Sequence, residues 1–287
     1  MKILFVGASG YGNLGDDAYK QLFTQGLLGH EILFDSPYPD IRAVDWADVV
    51  IVGGGGLIYV NETSHFQYMS TYLKRAIKTN KKIIFSSIGV QFISQDENRL
   101  AEVLNPWKKF LDVAKVITVR CPKDKEHLQK VTTNKNIHYY PDLCYLIKPV
   151  DYHLTLPDAH IYIVTGSSLW EKEIQKHFQE SVRQKKNIYG LVMSAGDIKP
   201  TKELIAPLRP LGDRLIERDN LNPNEAARII KDAEKVVTAR YHGLIFSRAV
   251  GQKNVISVDK RYKSVSEVVP RNIEDAIGHI NQIKGAL

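Results

Sequence analysis

The chain has 287 residues, 44% of them hydrophobic and 25% charged, which excludes disordered, collagen-like and disulfide-scaffold classes and leaves one large domain or two of ordinary size. Thirty-nine lysines and arginines against 32 acidic residues give a net charge of +7, a bias toward anionic partners that does not choose among phosphorylated metabolites, nucleotides, acidic glycans, membrane surfaces and nucleic acid. Cys121 and Cys144 are the only cysteines, with no C-x-x-C pair and no metal-spaced histidines, so neither a disulfide framework nor a metal site is expected and a reducing compartment fits.

The stretch from Met1 to Val6 is too short for the apolar region of a signal peptide, and no apolar run suits a transmembrane segment. The expected location is cytoplasmic, at most peripheral to a membrane. Lys2 to Val6 reads as the first strand, Asp17 to Leu28 as a helix and Glu31 to Phe34 as a second strand. Ala47 to Val52 is a run of Val and Ile stopped by four glycines, the pattern of a strand buried on both faces. Phe66 to Lys78 follows as a helix. Lys82 to Ile88, Val116 to Arg120 and Ile137 to Tyr140 read as strands, with helices at 95–111 and 122–131 between them; Pro122 suits a first helical turn.

From Pro141 to Pro157 three prolines interrupt the rhythm, which places a boundary between residues 148 and 149. The second half restarts with the strand Ile161 to Thr165, a helix from Trp170 to Gln184, and strands at Ile188 to Met193 and Arg214 to Glu217. Asn222-Pro223 caps a helix over Glu225 to Ala233. Lys235 to Ala239 and Val255 to Val258 are strands flanking a helix over Tyr241 to Val250. A helix over Asn272 to Ile283 closes the chain and is expected to pack back on the N-terminal domain. The alternation predicts an α/β protein of two Rossmann-like domains, 1–148 and 149–287, facing each other across a cleft, with ligands held by the loops that follow strands.

Four such segments carry candidate chemistry. Gly7 to Asp17 is glycine-rich and opens a helix, a setting for an anion or a polar sugar, although it is neither a Walker A loop nor a dinucleotide fingerprint and a tight strand–helix turn would need the same glycines. Gly53, Gly54, Gly55 and Gly56 leave no side chain to pack, so either a ligand or a neighbouring element comes close to that backbone. Arg240, Tyr241 and His242 stand between a strand and a helix, where an imidazole would exchange a proton near neutral pH and a guanidinium would grip a carboxylate or phosphate. Arg120 ends the matching strand of the first half. Lys260, Arg261 and Lys263 put three cations in four residues after the Val255 to Val258 strand, a collector for a phosphorylated ligand or a solvated loop.

Taken together, GYGNLGDDA (Gly10 to Ala18), GGGGL (Gly53 to Leu57), SIG (Ser87 to Gly89), the arginine ending VITVR (Arg120), PDL (Pro141 to Leu143), RYHGLIFS (Arg240 to Ser247) and VDKR (Val258 to Arg261) resemble the polysaccharide pyruvyl transferases, in that family's order and over nearly the whole chain. The resemblance implies a GT-B-like fold and transfer of a pyruvyl group from phosphoenolpyruvate to a nucleotide- or lipid-linked sugar, forming a ketal across two hydroxyls. No cofactor is implied beyond phosphoenolpyruvate as donor substrate. By carry-over, Arg120, Arg240, His242 and the basic residues of the VDKR loop handle the donor, while Asn13, Asp16 and the glycine segments lie toward the acceptor. The chain departs from the family in having Cys121 where an acidic residue often follows the arginine, and Lys260 where proline is common. The alternatives are a glycosyltransferase of GT-B architecture using a nucleotide sugar and a non-catalytic sugar- or nucleotide-binding relative. Nucleic acid is not an expected partner, because no helix-turn-helix, zinc finger or RNA-recognition signature accompanies the charge.

Overall fold

A computed structural model describes residues 1–7, 10, 12–35, 40–59, 63–91, 97–154, 156–168, 171–208, 214–217, 219, 221–258 and 273–287. The chain forms two compact units, one of Met1–Tyr11, Tyr19–Leu143 and Pro270–Leu287, the other of Gly12–Ala18 and Cys144–Val269. The division therefore falls at 143/144 rather than 148/149, and two segments are grouped apart from their neighbours in sequence.

The first unit is a parallel sheet in the order β2-β1-β3-β4-β5-β6. Its strands are β1 (Lys2–Val6), β2 (Glu31–Phe34), β3 (Val49–Tyr59), β4 (Lys82–Gln91), β5 (Val116–Val119) and β6 (Ile137–Tyr139). The helices are α1 (Leu14–Gly26), whose residues up to Ala18 are grouped with the other unit, α2 (Ala43–Trp46), α3 (Thr63–Lys78), α4 (Glu97–Asp112) and α5 (Pro122–Gln129). Val49 to Val52 are wholly buried, as a Val/Ile run in a sheet covered on both faces should be. The short α2 was not anticipated; its four residues are too few to show a helical period.

One expectation is corrected here. The glycines do not stop β3, which runs through Gly53–Gly56 to Tyr59. Gly53 stays in register with Ser86 and Gly55 with Ile88, with a shift before Ile58. A Cβ at Gly53 would lie 2.3 Å from the Ser86 carbonyl oxygen, so the neighbouring strand itself occupies the space that a side chain would need.

The last helix of the chain, α10 (Ile273–Ala286), belongs to the first unit, against β4 and β5. Its anchor is His279, fully buried and stacked on Tyr140 at 5.8 Å, with Nε2 2.7 Å from Thr118 Oγ1 and 3.1 Å from Ser86 Oγ. Burial lowers the imidazole to about 4, against a nearby Asp142 that raises it. The folded state thus binds fewer protons than the unfolded state between pH 4 and 6.5, and stability falls as pH drops through that window. Denaturant unfolding at pH 7 and pH 5 should show a loss of about 2 kcal/mol at the lower pH from this group. His279→Gln should remove that part of the slope.

The second unit is a parallel sheet in the order β11-β10-β7-β8-β9. It comprises β7 (Ala159–Ile163), α6 (Lys172–Arg183), β8 (Asn187–Leu191), α7 (Ile198–Ile205), β9 (Leu215–Ile216), α8 (Pro223–Asp232), β10 (Lys235–Thr238), α9 (Tyr241–Ala249) and β11 (Val255–Ser257). Asn222 caps α8 reciprocally: its Oδ1 accepts the N–H groups of Asn224 and Glu225, and Glu225 accepts the Asn222 N–H at 2.7 Å. The sheet order reverses about β7, between β10 and β8, so the loop after β10 opens at a switch point, where open α/β sheets place ligands. No helix among the described residues is long and apolar enough to cross a membrane.

Candidate active site

In the first unit the chemistry gathers around Arg120, the residue directly after β5. Its side chain is 6% exposed, and Nη1 lies 3.4 Å from Oδ2 of Asp142, which is itself wholly buried. Tyr19, on α1, donates its hydroxyl to the same Oδ2 at 2.7 Å, and lies 3.2 Å from Ser87 Oγ. Ser87 holds φ at +53°, a left-handed conformation that costs a non-glycine residue about 1 kcal/mol or more. Its N–H is taken by Thr118 Oγ1 at 2.9 Å. Gly89 completes the pocket, since a Cβ there would lie 2.7 Å from Arg120 Nε. SIG, PDL and the strand-end arginine are therefore parts of one buried network.

A second buried carboxyl follows Arg120 by four residues and feels its charge. Asp124, in the first turn of α5 and 7% exposed, is raised to about 7 by burial, against the lowering effects of Arg120, of the Val90 N–H that it accepts and of Lys123.

In the second unit, Asn13 is the N-cap of α1. Its Oδ1 accepts the Gly15 N–H at 3.1 Å, and its carbonyl accepts Asp17 N–H at 2.8 Å. The segment is tied down by an Asn13–Ser194 bridge and by Leu14 N–H donating to the Met193 carbonyl at 2.9 Å. Gly15 then meets His242: a Cβ at position 15 would lie 1.9 Å from the imidazole Nδ1. The ring, in the first turn of α9 and 8% exposed, lies edge-on to Tyr241 at 5.1 Å with Phe246 at 6.4 Å. The glycine of GNLGDDA is thus the space into which the histidine of RYHGLIF fits.

Arg240, the N-cap residue of α9, is held by Asp197. Its Nε donates to both carboxylate oxygens at 3.1 and 3.0 Å, and Nη2 donates to Oδ1. Asp197 is wholly buried; burial raises its carboxyl, offset by Arg240 and by the N–H groups of Ser194 and Met193. This fork fixes the plane of the guanidinium.

The expected site residues thus fall into two groups. Asn13, Asp16, Arg240, Tyr241 and His242 belong to the second unit, and Arg120 and Gly53 to Gly56 to the first. Asp16 sits half-buried in the first turn of α1, where a carboxylate complements the helix dipole. Lys260, Arg261 and Lys263 lie outside the described residues. The sequence reading gave no role to Tyr19, Asp124, Asp142 or Asp197. Asp142 stood inside PDL and Asp124 one helical turn beyond Arg120, but a carboxylate in a first turn ordinarily reads as a surface acid.

Two Rossmann-like units, each with basic or titratable residues just past its parallel strands, define the GT-B-like class of α/β proteins. Solved structures share this fold at low identity. Staphylococcus aureus MnaA, in a co-structure with UDP, is similar with a TM-score of 0.59 and 10% identity, over 99% of this chain and 87% of that one. A UDP-N-acetylglucosamine 2-epimerase described as putative, from Listeria monocytogenes, gives 0.58 and 12%, over 100% and 89%. Anabaena HepE, in complex with UDP and glucose, gives 0.51 and 11%, over 100% and 94%. No curated protein sequence matches the chain. The profile of the polysaccharide pyruvyl transferases matches residues 13–256, and the chain belongs to that family of transferases.

Proposed function

We propose that the protein transfers a pyruvyl group from phosphoenolpyruvate to a sugar of a cell-surface glycan or its precursor, forming a pyruvate ketal. The observation that carries this reading is the family match over residues 13–256, whose two most specific motifs meet where Gly15 admits His242. Phosphoenolpyruvate is the phosphate ester of an enol. A proton delivered to its methylene carbon makes C2 oxocarbenium-like, a sugar hydroxyl attacks C2 and gives up its proton, the C2–O bond to phosphate breaks, and a second hydroxyl adds to C2 and passes its proton to the departing phosphate, closing the ketal. Diol and phosphoenolpyruvate thus become ketal and inorganic phosphate.

His242 is assigned the proton transfer, a role typically worth about 10²- to 10⁴-fold. Arg120 and Arg240, each fixed by a buried aspartate, are assigned the donor's carboxylate and phosphate and the charge of the departing phosphate. Lys260, Arg261 and Lys263 are assigned to the donor on the motif alone. Asn13, Asp16, Tyr241 and the Gly53–Gly56 backbone are placed toward the substrates. The neighbours solved with UDP favour a nucleotide-linked over a lipid-linked acceptor. A cytoplasmic location suits such a donor and acceptor, with no nucleic acid and no further cofactor.

Incubation with phosphoenolpyruvate and a panel of nucleotide- and lipid-linked sugars should release inorganic phosphate only when the right acceptor is present. The same neighbours support a second reading, a glycosyltransferase using a nucleotide sugar: release of UDP without consumption of phosphoenolpyruvate would establish it. Binding of either ligand without product would mark a non-catalytic relative.

A further inference from the structure

We propose that His279, on α10 and outside the residues 13–256 that carry the family match, is a positioning residue for the Arg120 pocket. Through Thr118 it holds the left-handed turn at Ser87 against which the arginine is placed. The proposal rests on the reading that Arg120 receives the anionic donor. α10 does not need this ring to stay attached. Ala276, Ile280 and Ile283 are buried, and the Tyr140 hydroxyl donates to Gln282 Oε1 at 3.2 Å. Gly278 brings the helix close to Tyr140, since a Cβ there would lie 3.0 Å from Cε1 of that ring. An apolar side chain at position 279 would serve attachment as well, whereas a buried imidazole has to recover its lost hydration from polar partners.

The partners it finds are hydroxyls on two strands. Nε2 lies 2.7 Å from Thr118 Oγ1 on β5 and 3.1 Å from Ser86 Oγ on β4, and all three residues are buried. Thr118 Oγ1 also accepts the Ser87 N–H at 2.9 Å, where φ is +53° and the β4–β5 register shifts between Phe85 and Ile88. Such a backbone persists only where its surroundings over-determine it, and an irregularity of this kind re-aims the residues beside it. The irregular segment reaches the pocket twice. Ser87 Oγ lies 3.2 Å from the Tyr19 hydroxyl, which donates to Asp142. Gly89 sits so close to Arg120 that a Cβ would come within 2.7 Å of Nε. Thr118 itself stands two residues before Arg120. By fixing the Thr118 hydroxyl, the imidazole holds the turn and the end of β5 together without touching the reacting atoms.

The test is a double-mutant cycle on phosphoenolpyruvate affinity, read by phosphorus NMR titration, which reaches weak binding, well below the melting temperature of each variant. His279→Leu should weaken binding about tenfold, and His279→Gln, whose amide keeps a polar partner near Thr118, should recover most of the loss. In an Arg120→Ala background His279→Leu should cause no further loss, because the ring acts through the arginine. Thr118→Val removes the hydroxyl and leaves α10 unchanged. It should behave like His279→Leu, and it carries the test where that variant does not fold. The same loss from His279→Leu with and without Arg120, or wild-type affinity in both His279→Leu and Thr118→Val, would overturn the positioning role while leaving the donor assignment in place. Wild-type affinity in Arg120→Ala would overturn the donor assignment and the positioning role with it.

Discussion

Gly15→Ala should abolish turnover as thoroughly as His242→Ala does, although it adds only a methyl group. The new Cβ would lie 1.9 Å from Nδ1, 2.1 Å from Cγ and 2.5 Å from Cβ of His242, so the whole imidazole must move and not merely its tip. The backbone at position 15 is not free to retreat. Asn13 Oδ1 accepts its N–H, Leu14 beside it is bonded to Met193, and the Cys144 thiol donates to its carbonyl at 3.6 Å. The imidazole is confined in turn by Tyr241 and Phe246. A displacement of about 1 Å can cost 10²-fold in rate, and loss of a general acid about 10²- to 10⁴-fold. Acceptor-dependent phosphate release should therefore fall at least 100-fold in both variants. Binding of phosphoenolpyruvate should survive in His242→Ala. Near-normal turnover in either variant would remove the imidazole from the chemistry.

Asp142→Ala should be among the most destabilising single substitutions in the first unit. It removes the buried carboxylate that faces the Arg120 guanidinium, 6% exposed, and that accepts the Tyr19 hydroxyl at 2.7 Å. Breaking a buried pair from one side costs about 3–5 kcal/mol, which for a unit of this size lowers the melting temperature on the order of 10 °C. Asp142→Asn keeps an acceptor for Tyr19 and should lose less. Thermal unfolding of Asp142→Ala at the wild-type melting temperature would show that this pair carries no stability.

The order of strands and helices was legible because Val/Ile runs such as Val49 to Val52 have to be buried on both faces of a parallel sheet, and because Pro122 and Asn222-Pro223 punctuate helix starts. The continuation of β3 through four glycines was not, since glycine carries no strand signal and what keeps it in the ladder is the approach of Ser86 from β4. His242, Arg120 and Arg240 could be singled out by their place after strands. Their supports could not: the aspartates 142 and 197 matter because they are buried opposite an arginine, a relation between distant segments that local spacing does not encode. Gly15 stood in a quoted motif, but its reason, the imidazole it admits, lies far along the chain.

The central claim, ketal formation from phosphoenolpyruvate, is tested most directly by following donor labelled isotopically at C2 with carbon NMR in the presence of the nucleotide-linked acceptor panel. The labelled enol carbon should disappear and return as a quaternary ketal carbon on the sugar, in step with inorganic phosphate. Label that stays in phosphoenolpyruvate across the panel, or that appears only as free pyruvate, would contradict it.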